Sequence, residues 1–294
     1  MPSLSGVITS MLTPFTESFR LDEETLAQEL EYQLGQGVHG ICVLGGTGES
    51  LSLTAQERLR VVEVAVQIVK GRVPLIVGCF VPTEDEIATF ALDIQGLGAK
   101  ALMLTPPSFY KHTTAQFGKL LERLSQRTTL PLVIFNSPGR AGVNLGAGAI
   151  AGYTQRFPNI IGVKDATGSV KELVGMGQAI APGCGLLQGH DDGFLPALAS
   201  GASGGILAFA SPMPDLFVDI YESWLKGDNE HALGRQLSVI PAMNAVNLEP
   251  MPVLVKEAMK VVGRPMGATR PPLYPPDPDN VRAIRSELAK LLKG

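Results

Sequence analysis

Residues Leu132–Lys164 read LVIFNSPGRAGVNLGAGAIAGYTQRFPNIIGVK. Two short apolar runs rich in branched side chains, Leu132–Phe135 and Ile160–Val163, flank an amphipathic stretch at Gly146–Arg156. This is the pattern of a strand, a crossover helix and a second, parallel strand. Neither run alternates with polar residues, so both faces of each strand are to be covered. Working outward, apolar runs recur at Gly6–Leu12, Gly40–Leu44, Leu75–Cys79, Ala101–Leu104, Gly185–Gln188 and Gly205–Phe209, eight in all. Helical patterns lie near Glu23–Leu34, Ala55–Val69, Asp85–Leu97, Ala115–Gln126, Val170–Ile180, Phe194–Ala199 and Leu216–Leu225. Asp22 before Glu23-Glu24 is a helix-start signal, and Thr54 with Glu57 three residues on fits a capping box.

Eight such units predict an α/β chain whose residues 1–224 close into a (β/α)8 TIM barrel. An open doubly wound sheet competes, but it wants fewer strands and a break in their order, and no dinucleotide fingerprint follows the first run. Beyond Trp224 the strand pattern stops. Helical patterns at Glu230–Ala245, Pro252–Val262 and Asn280–Leu292 make residues 225–294 a C-terminal helical extension. The proline-dense Arg270–Asp279 (RPPLYPPDPD) reads as a stiff connector rather than a polyproline ligand.

Composition agrees with a globular enzyme-sized chain: 294 residues, 45% apolar and 18% charged, bury a core without disulfide or metal staples. With 24 Lys plus Arg against 28 Asp plus Glu, a net charge of −4 and no basic block, a nucleic-acid or anionic-membrane surface is not expected. Cys42, Cys79 and Cys184 are odd in number and widely spaced, and read as buried free thiols of a reducing cytoplasm. No basic, apolar leader opens the sequence, so no signal peptide is expected. The uncharged stretch Gly193–Pro214 is broken by glycine, serine and proline, which suits a core segment better than a membrane span.

In a parallel barrel the active site lies at the C-terminal strand ends. The polar residues there are Ser10 and Thr13, the loop Gly45-Gly46-Thr47-Gly48-Glu49-Ser50, Thr105, Asn136 and Arg140, Lys164 and Asp165, and His190-Asp191-Asp192. Lys164 ends a buried apolar run, where desolvation lowers an amine's pKa. A neutral amine attacks a keto-acid carbonyl to form a Schiff base, an electron sink that needs no cofactor. The alternative is a strand-end lysine paired with Asp165, and Lys164 alone leaves the two open. The Gly45–Ser50 loop, with the Thr47 hydroxyl, suits an anion such as a carboxylate, or is an ordinary tight turn. Arg140, in its glycine-flanked loop, is either a bidentate clamp for a second carboxylate or a solvated surface residue. Gly201–Gly205 satisfies the G-x-S-x-G pattern formally, but a helix precedes Ser203 and a strand follows, the reverse of a serine-hydrolase elbow. The four histidines form no cluster and Asp191 reads as a helix cap, so no metal is expected.

Taken together, these motifs resemble the dihydrodipicolinate synthase and N-acetylneuraminate lyase family of class I, Schiff-base aldolases. The resemblance runs end to end. It rests on Thr13-Pro14-Phe15, Gly45–Ser50 in place of G-[TS]-T-G-E, and Thr105-Pro106-Pro107. It continues through Phe135-Asn136-Ser137-Pro138 for Y-N-x-P, Gly162-Val163-Lys164-Asp165 for G-[IV]-K-[DE], and Gly189-His190-Asp191 for G-x-D. It implies a barrel with a helical extension, a homotetramer or homodimer, no cofactor, and Lys164 as the Schiff-base lysine. It further implies that Thr47 and the Gly46 amide hold the keto acid's carboxylate. Arg140 is implied to hold a second substrate's carboxylate, with Gly189 and Ile206 lining the pocket.

Three departures shape the expected activity. Phe135 stands at the position of the family's proton-shuttling tyrosine, Phe109 where synthases carry the tyrosine supplied by a neighbouring subunit, and Gly46 at the relay's hydroxyl residue. Phenylalanine carries no proton. Ala55, Arg58 and Ser108 replace the effector ligands of lysine-inhibited synthases, so lysine feedback is not expected. The reading is a lyase, of aldolase or dehydratase type, acting on pyruvate or a related 2-oxo acid in the cytoplasm. The alternatives are 4-hydroxy-tetrahydrodipicolinate synthase proper, joining pyruvate to aspartate semialdehyde, a non-catalytic keto-acid-binding barrel and, remotely, a hydrolase built on Ser203.

Overall fold

The structure, a computed structural model, describes residues 4–293. Its strands are β1 (Gly6–Ser10), β2 (Gly40–Val43), β3 (Leu75–Cys79), β4 (Ala101–Leu104), β5 (Leu132–Asn136), β6 (Ile160–Asp165), β7 (Gly185–Gln188) and β8 (Gly204–Leu207). They pair in parallel in sequence order and close, β1 against β8, from Gly6 opposite Gly204 to Thr9 opposite Leu207. The closed barrel is the expected (β/α)8 fold, and the open sheet is excluded.

The helices are α1 (Glu23–Gly35), α2 (Ala55–Val69), α3 (Glu84–Leu97), α4 (Thr114–Arg127), a short α5 (Pro138–Ala141), α6 (Ala147–Arg156), α7 (Val170–Ala179), α8 (Phe194–Ala199) and α9 (Pro214–Leu225). Beyond the barrel come α10 (Asn229–Val246), α11 (Val253–Val261) and α12 (Pro278–Leu291). Local chemistry fixes their starts. The Asp22 carboxylate accepts the Thr25 N–H, and Thr54 and Glu57 form the reciprocal capping box read from the sequence. A second box, Thr113 with Gln116, starts α4.

Three bodies of core follow from the strands being apolar on both faces. Ile8, Cys42, Ile76, Met103, Leu187 and Ile206 pack inside the barrel. A larger layer lies between strands and helices. A third joins Val7, Leu12 and Leu207 to Val239, Leu254 and Leu288 of the extension, so α10 to α12 share apolar packing with the barrel. Cys42 and Cys79 are buried free thiols as expected, whereas Cys184 is only half-buried.

The differences from the sequence reading sit at strand ends. The run at Gly6–Leu12 pairs only to Ser10, after which Met11 donates to Cys42 and the chain turns away. β5 and β6 run on through Asn136 and Asp165, so the polar residues expected just after them lie within the sheet. Helix α5 was not legible, because four residues carry no periodicity; Pro138 at its first turn pre-sets the helical φ. Arg270 pins the start of the proline-rich connector by donating to Glu57 and to the carbonyls of Phe19 and Ser52.

Candidate active site

β6 brings Lys164 and Asp165 to the C-terminal mouth, and strand alternation sends their side chains to opposite faces. Asp165 turns outward and is satisfied there, accepting from Asn136 Nδ2 at 3.0 Å and from the Thr167 hydroxyl at 2.7 Å. Lys164 turns inward. It is buried, its Nζ lies 4.5 Å from the centre of the Phe135 ring, and none of the described carboxylates is within ion-pairing distance. The paired-lysine reading is thereby excluded. Burial pushes the Lys164 amine down to about 8; the positive Arg140 acts in the same direction, while Cys42 and Asp191 oppose it. At neutral pH a usable fraction of the amine is therefore unprotonated.

The loop after β2 faces it. Leu44 and Glu49 take left-handed backbone conformations, φ 58° and 51°, which curl residues 45–50 into a tight turn. The Thr13 hydroxyl donates to the Gly48 carbonyl at 2.6 Å, and the Ser10 hydroxyl to Thr47 Oγ1 at 3.2 Å. The buried Glu49 anchors the turn from behind: it lies 2.7 Å from Lys256 Nζ of α11 and accepts the Arg270 N–H at 3.0 Å.

After β7, Gly189 donates to the Asp165 carbonyl at 2.7 Å. A side chain at 189 would come within 3.1 Å of Lys164 Cε and 2.8 Å of that carbonyl, so only glycine leaves the lysine its place. Asp191 is not the helix cap read from the sequence. Gly193 caps α8 without a side-chain bond, and the Asp191 carboxylate instead reaches across the mouth to accept the Phe209 N–H at 2.8 Å, a donor left free beyond the end of β8. Burial pushes that carboxyl up to about 6.

These side chains enclose a cavity of about 210 Å³ bordered by Lys164, Phe135, Thr47, Arg140, Gly189 and Asp191. The extension supplies its roof, through Met243, Val246, Asn247 and Met251. Arg140 comes from α5 and is exposed as a residue, yet its guanidinium dips into the mouth, where burial pushes its pKa down. Two sequence-predicted residues lie elsewhere. Gly46 borders a neighbouring cavity on the far side of Arg140, and Ile206 is fully buried in the barrel interior beside Phe135. The sequence reading missed the roof residues, because apolar positions on a helix give no sign of which strand end they cover. It also missed the role of Glu49, whose partners lie more than two hundred residues away. Among the described residues no group of three His, Cys, Asp or Glu side chains is placed to hold a metal ion, and no helix is long and apolar enough to cross a membrane.

A closed parallel barrel with an unpaired lysine buried at its mouth is the layout of a class I, Schiff-base aldolase-type lyase. The chain matches the model of the Dihydrodipicolinate synthetase family over residues 3–292 and belongs to that family. It is 32% identical to a 4-hydroxy-tetrahydrodipicolinate synthase of Methanopyrus kandleri over 289 residues, covering 98% of this chain and 96% of that one. Dihydrodipicolinate synthase from Thermotoga maritima superimposes with a TM-score of 0.95 at 28% identity, covering 98% of this chain and 99% of the other. A prophage protein of Escherichia coli K12 from the dihydrodipicolinic acid synthase family, solved in complex with pyruvate, gives 0.94 at 28% identity over 98% of each chain. As a family member the protein is a lyase of the Schiff-base type.

Proposed function

We propose that the protein uses Lys164 to form a Schiff base with pyruvate or a related 2-oxo acid and makes or breaks a carbon–carbon or carbon–oxygen bond next to it. The observation that carries this is the unpaired, buried Lys164 opening onto the 210 Å³ cavity. The neutral amine attacks C2 of the keto acid, and the carbonyl oxygen takes up a proton. Nitrogen gives up one proton, the oxygen leaves as water with a second, and the protonated C=N bond forms. One of the proton carriers named below takes a C3 proton while its electron pair moves into the protonated imine, giving an enamine, whose C3 bonds to an aldehyde carbon as the aldehyde oxygen takes a proton back; the reverse sequence cleaves. Thr47 holds the keto acid's carboxylate, and Arg140 faces the second half of the substrate, with Gly189 shaping the pocket around Lys164, while Gly46 and Ile206 lie outside that cavity. Phe135 cannot carry protons, so Thr47, Ser137, substrate hydroxyls or water do so. The protein works in the cytoplasm as a homotetramer or homodimer, a reading supported by its free thiols and by the family resemblance.

The test is borohydride reduction of the whole protein with pyruvate, followed by intact-mass and peptide mapping. A single pyruvyl adduct on Lys164, absent in Lys164→Ala, is the expected result. Labelling elsewhere, or none, would favour a binding barrel and end this reading. A second reading, 4-hydroxy-tetrahydrodipicolinate synthase proper, is favoured by the names of relatives about 30% identical over nearly the whole chain. Because general acid–base help is worth roughly a hundred- to ten-thousand-fold in rate, turnover of pyruvate with aspartate semialdehyde is expected to be weak and partly restored by Phe135→Tyr. Wild-type turnover at an ordinary synthase rate decides for the second reading.

A further inference from the structure

With phenylalanine at 135, the side-chain hydroxyls bordering the Lys164 cavity are those of Thr47 and Ser137. A hydroxyl passes a proton along but does not keep one at neutral pH, because it releases one proton as it takes another. The proton that leaves C3 therefore needs a resting place while the enamine lasts. The ionisable side chains around the cavity are Lys164, Arg140, His190, Asp191 and Asp192. Lys164 is committed to the imine, and a guanidinium stays protonated. His190 and Asp192 are exposed, and the His190 ring is turned to the Ala166 carbonyl, 3.1 Å from Nε2. That leaves Asp191.

Its carboxylate is held by one end only. Oδ1 accepts the Phe209 N–H at 2.8 Å, and Gln236 of α10 donates to the Asp191 carbonyl at 3.2 Å, which fixes the backbone behind the side chain. Oδ2 accepts from none of the described residues, and the side chain borders the same 210 Å³ cavity as Lys164. The two groups are not ion-paired, yet each feels the other's charge, a spacing that leaves room for a guest between them. Once Lys164 carries the protonated imine, moving a C3 proton to the carboxylate removes a positive and a negative charge together, which a poorly solvated cavity favours. Burial pushes the carboxyl up to about 6, close enough to neutrality for the group both to take a proton and to return it.

We propose that Asp191 is the acid–base group of this site: by way of a cavity hydroxyl or water, its free oxygen takes the proton leaving C3, holds it while the enamine lasts, and returns it to the aldehyde oxygen. The proposal rests on the Schiff-base reading and deepens it. As the C3–H bond breaks, its electron pair moves into the protonated C=N bond and the proton goes to Asp191. As C3 bonds to the aldehyde carbon, the carbonyl π pair takes that proton and the carboxylate is restored.

Deuterium exchange at C3 of pyruvate tests this step without a second substrate. The full-length protein is incubated with pyruvate in heavy water and the methyl proton signal followed by NMR, while borohydride trapping of the same samples at equilibrium gives the amount of Lys164 adduct. The wild type is expected to exchange these protons at a rate that Lys164→Ala lacks. Asp191→Asn is expected to keep the adduct within a few-fold and to lose exchange per adduct by roughly a hundred- to ten-thousand-fold. Asparagine keeps an oxygen for the Phe209 N–H, and Asp191→Ser keeps the test decisive if the asparagine variant does not fold. Undiminished exchange per adduct in a folded variant, loss of the adduct along with exchange, or adduct without exchange in the wild type would each overturn the proposal. No adduct in the wild type refutes instead the Schiff-base reading on which the proposal stands.

Discussion

Lys164 and Lys256 are the two buried lysines among the described residues, and they begin alike. Each is almost fully buried, each is pushed down to about 8 by that burial, and each sets its ammonium over a phenylalanine ring, Phe135 at 4.5 Å and Phe15 at 4.4 Å. They differ in company. Lys256 has Glu49 at 2.7 Å, donates to the Ala268 carbonyl at 3.0 Å, and borders neither of the two cavities at the barrel mouth. Lys164 has a cavity and no partner. A depressed pKa therefore does not by itself mark a nucleophile; an unsatisfied amine facing open space does. One lysine holds the chain together, and the other is held ready for a guest.

The largest effect that tests this contrast is kinetic. With the Lys164 amine near 8 rather than its ordinary 10.5, the rate of adduct formation is expected to rise roughly fiftyfold between pH 6 and pH 8 and to level off soon after. Timed quenching into borohydride measures it, and a rate still climbing steeply at pH 10 would show that Lys164 is not perturbed. The next effect is on stability. Lys256→Met leaves the buried Glu49 carboxyl without its ion-pair partner, with only the Arg270 N–H to satisfy it, and should cost about 3–5 kcal/mol in urea unfolding. Adding Glu49→Gln should return much of that loss, and full additivity of the two changes would break the pairing argument.

Lys164→Met should move the opposite way. The native amine is deprotonated above about 8, while the unfolded chain keeps its proton until the ordinary lysine range. The wild-type fold thus carries the cost of an unpaired buried ammonium in full below that value, and gains stability as the pH rises from about 8 toward 10.5. Removing the charge is expected to stabilise the fold by about 1–3 kcal/mol at pH 7, a gain that shrinks toward pH 10. Destabilisation at pH 7 comparable to that of Lys256→Met would erase the distinction between the two lysines.

Most of this architecture was legible because it depends on periodicity. The runs at Leu75–Cys79, Ala101–Leu104 and Gly185–Gln188 coincide with β3, β4 and β7, and the Thr54–Glu57 box marks the start of α2. Lys164 stood out for the same reason, as a charge ending an apolar run. What stayed hidden depends on distance in space. Asp191 looked like a cap for the next helix, yet its carboxylate serves an N–H eighteen residues on. Met243 and Met251 look like ordinary core until the extension is folded over the barrel mouth. Glu49, read only as part of a glycine-rich loop, anchors that loop to segments no local pattern connects with it.

That anchoring orders events in time. Glu49 and Arg270 meet across 221 positions of sequence, so a ribosome that has already released the loop after β2 must synthesise that whole stretch before the residues that pin it all exist. At about 5–20 residues per second this interval is roughly 10–45 s. Until α11 emerges, Glu49 lacks both Lys256 and Arg270, the partners that anchor the loop carrying Thr47. The finished site is therefore a record that the extension has been translated, since a chain stopped short of it holds every reacting side chain and lacks the anchor that sets them facing one another.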